Sequence, residues 1–179
     1  MFSPENAILL VIDIQGKLAR LMHQRDQLFR NVSILIQTAS ILKIPVIVTE
    51  QVPEKIGKTV SEITKFLGNN QPIPKTSFSC CGEDRFVGEL KALNRKQVIV
   101  AGIETHVCIY QTVCDLLNRK FEIQVVGDAV SSRTEANKHF GLNRINALGG
   151  GITSTEMIIC ELLKTCEHSR FREVVCLIK

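Results

Sequence analysis

Ile8-Leu9-Leu10-Val11-Ile12-Asp13 sets five consecutive aliphatic residues against a single carboxylate. A strand with one wet face alternates apolar and polar residues, whereas an unbroken β-branched run suits a strand covered on both faces, as in a parallel sheet. Val98-Ile99-Val100-Ala101 and Ile123-Gln124-Val125-Val126 repeat the pattern, and Pro45-Val46-Ile47-Val48 is a fourth case. Between these runs the spacing changes. From Gln24 to Leu42, residues Leu28, Val32, Leu35, Ile36, Ala39 and Leu42 recur every three or four positions, which predicts an amphipathic crossover helix. Similar patterns occupy Lys58 to Leu67, Glu83 to Leu93, His106 to Asn118, Thr134 to Leu148 and Ser154 to Leu163. Strands alternating with helices predict an α/β, doubly wound architecture.

The chain has 179 residues, so one domain spanning residues 1–179 is expected. Its composition, 45% hydrophobic and 22% charged with 5 Pro and 11 Gly, is that of a folded globular protein and argues against a disordered or collagen-like chain. The net charge of +4 comes from scattered basic residues; with 1 Tyr and no Trp for stacking, composition argues against nucleic acid as a partner. No apolar run approaches a membrane span, and residues 1–6 lack the basic start of a signal peptide, so no membrane partner is expected. Cys80, Cys81, Cys108, Cys114, Cys160, Cys166 and Cys176 form no C-x-x-C pair, which reads as free thiols in a reducing, cytoplasmic setting. Gly149-Gly150-Gly151 lacks the Gly-Lys-Ser/Thr ending of a phosphate loop and reads as a turn.

In doubly wound sheets, ligands bind beyond the carboxyl ends of the strands. Asp13 sits at the end of the first strand. Cys108 follows the Val98 strand through Gly102-Ile103-Glu104-Thr105-His106-Val107, where a helix start offers unpaired N–H groups and a positive dipole that lower a thiol pKa. Lys75 lies in Pro72-Ile73-Pro74-Lys75-Thr76-Ser77-Phe78, which Pro74 holds extended. Singly, each has an ordinary reading as a turn residue, a core thiol or a solvated amine. Together they make a base, a charge stabiliser and a nucleophile.

Four segments in order, Leu9-Leu10-Val11-Ile12-Asp13-Ile14-Gln15, Lys75-Thr76-Ser77-Phe78-Ser79, Val100-Ala101-Gly102-Ile103-Glu104-Thr105-His106-Val107-Cys108 and Val126-Gly127-Asp128-Ala129-Val130-Ser131-Ser132-Arg133, resemble the isochorismatase-like cysteine hydrolase superfamily, which includes nicotinamidases and N-carbamoylsarcosine amidohydrolases. The resemblance implies a three-layer α/β/α, Rossmann-like fold with a six-stranded parallel sheet and a cis peptide at Ile103-Glu104. It places the family's catalytic Asp, Lys and Cys on Asp13, Lys75 and Cys108, with the backbone N–H groups of Glu104 and Cys108 as the oxyanion hole. It also implies acyl transfer through a thioester and self-association into homo-oligomers.

Metal-dependent nicotinamidases carry an Asp-x-His pair after the second strand, where this chain has Thr49-Glu50-Gln51-Val52-Pro53, so neither a metal nor another cofactor is expected. Gln15, Glu50, Gln51, Phe78, Thr105 and Ile109 are candidate substrate-binding residues through their nearness in sequence to the triad. The expected substrate is a small amide or carbamoyl compound. The competing readings are a non-catalytic scaffold that keeps the fold and, with less in its favour, a protein acting on nucleic acid.

Overall fold

The structure is a computed structural model describing residues 1–179. Its centre is one all-parallel sheet of six strands: β1 (Ala7–Ile12), β2 (Val46–Gln51), β3 (Ile73–Lys75), β4 (Gln97–Ile103), β5 (Glu122–Ser131) and β6 (Gly151–Thr153), in the order β3-β2-β1-β4-β5-β6. Nine helices complete the chain: α1 (Gly16–Arg20), α2 (Arg25–Ile41), α3 (Pro53–Ile56), α4 (Ser61–Thr64), α5 (Asp84–Ala92), α6 (Tyr110–Asn118), α7 (Glu135–Ala147), α8 (Thr155–Leu163) and α9 (Phe171–Ile178). A short 3-10 turn spans Cys80–Gly82 and a π-helical turn spans Thr105–Ile109.

The opening run of the sequence explains the three layers. All six residues of β1 are buried. Ala7, Leu9 and Val11 point into the core beneath α2, α8 and α9, while Ile8, Leu10 and Ile12 point into a second core beneath α5, α6 and α7. This is the two-residue alternation of a strand, with both of its faces dry. Each such side chain contributes roughly 2 kcal/mol by leaving water, so β1 is an anchor for both halves of the molecule. The apolar C-terminal segment closes the first core, with Val174 of α9 fully buried in it.

The long elements fall where the sequence pattern puts them, and two strands fall where it does not. β3 and β6 are three-residue edge strands. β3 contains Pro74, which lacks an N–H for ladder pairing and is tolerated on an edge. Gly151 of the glycine run is the first residue of β6, so that run is a turn only through Gly150. Strand order reverses between β1 and β4, whose onward connections leave toward opposite edges, and a crevice opens there. No helix is long and apolar enough to cross a membrane.

Candidate functional site

Three strand ends converge at that crevice. Asp13 follows β1 with a left-handed φ of 53°, a conformation an Asp tolerates better than most residues, and the turn brings its carboxylate inward. Lys75 ends β3. Cys108 sits in the π-helical turn after β4 rather than in a regular α-helical first turn. The Ile103-Glu104 peptide just before that turn is cis. Gly102 has φ 122°, and a Cβ there would lie 2.1 Å from the Ile12 carbonyl oxygen, so only glycine lets β4 pass this close to β1.

The charges are buried and paired. Lys75 Nζ lies 2.7 Å from Asp13 Oδ2, both side chains being almost inaccessible. Thr49 Oγ1 donates to Asp13 Oδ1 at 2.7 Å. The ammonium has three protons, and three carbonyl oxygens take them: Gln51 Oε1 at 2.6 Å, Ser77 O at 3.1 Å and Phe78 O at 3.1 Å. Asp13 Oδ2 is ion-paired with Lys75, and the Asp13 carboxylate also shares a hydrogen bond with the Cys108 thiol. A buried carboxylate hydrogen-bonded to a thiol is suited to taking that thiol's proton.

The thiol itself departs from the sequence expectation. Burial pushes Cys108 up to about 12, the facing charge of Asp13 pushes the same way, and Lys75 opposes them. Desolvation and a nearby carboxylate outweigh the helix-start effect, so the resting group is a protonated thiol rather than a pre-formed thiolate. Cys80 is a second buried thiol in the same field, also raised to about 12, chiefly by burial, with its Sγ 3.8 Å from Thr49 Oγ1.

A cavity of about 110 Å³ lies over this group. Asp13, Gln15, Gln51, Phe78, Glu104 and Cys108 line it. Leu18, Ile56, Ile103 and Val107 line it too, and none of these was singled out by the sequence. They come from α1, α3, the end of β4 and the π turn, and no short-range signal ties them to the triad. Glu50, Thr105 and Ile109 are not among the residues that line this cavity. Along β2 the side chains of Thr49 and Gln51 face the charged pair. Glu50, on the opposite face, instead accepts from Thr59 N at 2.6 Å and Thr59 Oγ1 at 2.7 Å. Thr105 is fully buried under Gly141 of α7, and Ile109 packs in the second core.

Two polar cavity residues are already committed to holding the walls. Gln15 Nε2 donates to Gln51 O at 3.1 Å and Gly57 O at 2.6 Å, and its Oε1 accepts from Gln51 N at 2.6 Å. Gln51 Nε2 donates to Thr76 O at 2.7 Å while its Oε1 takes a Lys75 proton. The Glu104 carboxylate turns away, accepting from Arg133 N at 3.0 Å and Arg133 Nε at 3.2 Å, and its backbone N–H has no backbone partner. His106 Nδ1 lies 3.0 Å from Ser132 Oγ, outside the cavity lining. No three His, Cys, Asp or Glu side chains converge as a metal site would require.

The isochorismatase-domain family model matches residues 7–157. Among curated relatives, isochorismatase domain-containing protein 1 of Danio rerio is 34% identical over 177 residues, covering 99% of this chain; the chain spans 62% of that relative's length. Among solved structures, one described as MAR1 ribonuclease from Caenorhabditis elegans superposes with a TM-score of 0.93 at 39% identity, covering 99% of this chain and 91% of that one. The YcaC gene product of Escherichia coli, described as an octameric hydrolase of unknown specificity, shares the fold with a TM-score of 0.89 at 24% identity, covering 99% and 86%.

Proposed function

The chain belongs to the isochorismatase family, and from that premise we propose that it is a metal-independent cysteine hydrolase of short, uncharged amides or carbamoyl compounds. The observation that carries the reading is the buried Asp13 carboxylate, ion-paired with Lys75 and hydrogen-bonded to the Cys108 thiol. In the proposed cycle, Asp13 takes the thiol proton as Cys108 Sγ bonds to the carbonyl carbon. The oxyanion is held by the N–H groups of Glu104 and Cys108. Lys75 keeps the site's net charge near neutral while the negative charge moves from carboxylate to sulfur to oxygen. The tetrahedral adduct collapses by breaking the C–N bond, and Asp13 returns its proton to the leaving amine. Water, deprotonated by Asp13, then cleaves the thioester and frees the acid.

The walls select the substrate. The cavity, at about 110 Å³, is well below the roughly 300–1,000 Å³ of ordinary ligand sites. Its apolar lining includes Leu18, Ile56, Phe78 and Val107. Gln15 spends both Nε2 protons on backbone carbonyls, and Gln51 spends one, on Thr76 O, which leaves a single Gln51 N–H for a ligand. A compact aliphatic acyl group suits such a space, and a six-membered aromatic ring is too bulky for it. A ribonuclease reading, which the C. elegans relative's description raises, finds no room for a nucleotide here. The proposed unit is residues 1–179 as one domain, cytoplasmic, and assembled with copies of itself as the E. coli relative is.

The test is ammonia release from acetamide, propionamide, isobutyramide and nicotinamide. Short aliphatic amides are expected to turn over and nicotinamide not. Cys108→Ala is expected to abolish the reaction with the fold intact by circular dichroism. Activity surviving that substitution overturns the proposal, as does a folded wild type that turns over none of the four.

A further inference from the structure

The opposite pole of the molecule carries a feature that acyl-transfer chemistry at Cys108 does not use. The loops after α5 and α6 lie at the amino ends of β4 and β5, and between them is a cavity of about 300 Å³ bounded by Lys91, Arg95, Lys96, Arg119 and Phe121. No acidic side chain lines it. None of the four cations takes part in a salt bridge. The nearest acids along the chain are engaged elsewhere: Glu89 pairs with Arg85 at 3.0 Å, and Glu122 accepts from Gln97 Nε2 at 3.0 Å.

Lys91 and Arg119 lie at the carboxyl ends of α5 and α6, where cations meet the negative end of the helix dipole. That accounts for one cation at each helix, not for four around a single hollow that no carboxylate lines, the Glu5 carboxylate lying outside it within Coulombic range of Arg95. Arg95 is held rigidly: its Nη1 donates to Pro4 O at 2.5 Å and Ala7 O at 2.8 Å, which fixes the guanidinium plane and leaves Nη2 unbonded. Lys96 Nζ sits 4.9 Å from the centroid of the Phe121 ring, so the aromatic edge of the hollow also carries positive charge. A fixed guanidinium fork, mobile ammonium groups and an aromatic wall in one concavity are the elements that recognise phosphate oxygens with an attached base.

We propose that this cavity is a second binding site, for a phosphate-bearing anion of nucleotide size, supplied either as a free nucleoside polyphosphate or as the backbone of single-stranded RNA. The two sources share the chemistry and differ in length. A single-stranded RNA neutralising three of the cations gives an affinity that falls with salt at a log–log slope of about −2.

Calorimetric titration of the full chain with UTP and with an eight-nucleotide oligouridylate, at 100 mM salt, tests this. Both probes are expected to bind. Lys91→Glu/Arg119→Glu is expected to lose at least tenfold in affinity. Arg172→Glu/Lys65→Glu, an equal charge change at exposed positions outside the cavity, is expected to lose less than twofold. Should the first double variant not fold, Lys91→Gln with an expected loss of threefold or more takes its place. Oligouridylate binding at least tenfold tighter than UTP names RNA as the source, and comparable affinities name the nucleotide. Absence of binding by both probes, or equal losses in the two double variants, overturns the site.

Discussion

If Cys108 rests as a protonated thiol held up by burial and by Asp13, its alkylation should be slow and should become faster when Asp13 loses its charge. A thiol raised from its ordinary 9.0 to about 12 carries about a thousandth of the thiolate at neutral pH. The thiolate that does form is more nucleophilic by roughly twentyfold, from a Brønsted coefficient of about 0.4–0.5. The net expectation is iodoacetamide labelling roughly 50-fold slower at Cys108 than at exposed thiols such as Cys166, rising with pH and showing no plateau before about pH 10. In Asp13→Asn the second-largest cause of the raised pKa is gone and Lys75 remains, so labelling at pH 7.4 should accelerate while amide turnover falls by about 10²–10⁴ with loss of the base. Peptide mapping by mass spectrometry reads all seven cysteines at once, and the exposed ones serve as internal standards. A wild-type labelling midpoint near neutral pH would refute the protonated-thiol reasoning, and so would an Asp13→Asn variant that labels more slowly.

Two further outcomes follow from the same packing. Cys80 and Cys108 have folded pKa values raised above their unfolded ones; their contribution to stability is therefore complete below about pH 9 and is lost as pH climbs toward 12, at about 1.4 kcal/mol per thiol per pH unit. Urea melts at pH 8 and pH 10 should differ by about 2–3 kcal/mol, with Cys80→Ala removing about half of that difference; a flat profile contradicts the burial argument. Gly102→Ala would place a methyl 2.1 Å from the Ile12 carbonyl oxygen at a φ of 122°, so a loss of more than about 3 kcal/mol is expected in the same assay, and an unchanged midpoint means β1 and β4 are not packed as described.

The long central strands were legible because full burial leaves an unmistakable mark: β1, β4 and the first half of β5 are nearly continuous aliphatic runs. α2 was legible over Gln24 to Leu42 and is Arg25–Ile41, because a long crossover helix repeats its apolar stripe often enough to be read. β3 and β6 were not legible as strands. Three residues cannot display a period, and edge position lets Pro74 sit where a central strand would exclude it. At the site, Asp13, Lys75 and Cys108 came from strand ends and a motif match, and their convergence follows from the strand order. Thr49 was missed because its partner, Asp13, is 36 residues away and nothing local distinguishes it from any strand threonine. Sequence proximity ignores the alternation of faces along β2, which turns Glu50 toward Thr59 while Thr49 and Gln51 face the charged pair. The sign of the Cys108 shift was misjudged for a similar reason: the helix-start effect is visible in sequence, but the depth of burial and the distance to Asp13 are properties of the packed molecule.

The position of Lys75 has a consequence for how firmly the site is held. Its strand, β3, is the outermost of the sheet, three residues long and bonded to β2 on one side only. Such edges open locally at a free energy below that of global unfolding. Every opening of β3 would withdraw the cation of the site and leave Asp13 facing Cys108 alone. The contacts that Nζ makes to Asp13, Gln51, Ser77 and Phe78 therefore act as a latch on the strand that carries it. Competence of the centre is in this sense a local folding equilibrium, and any ligand that fills the cavity above the pair shifts it toward the closed form.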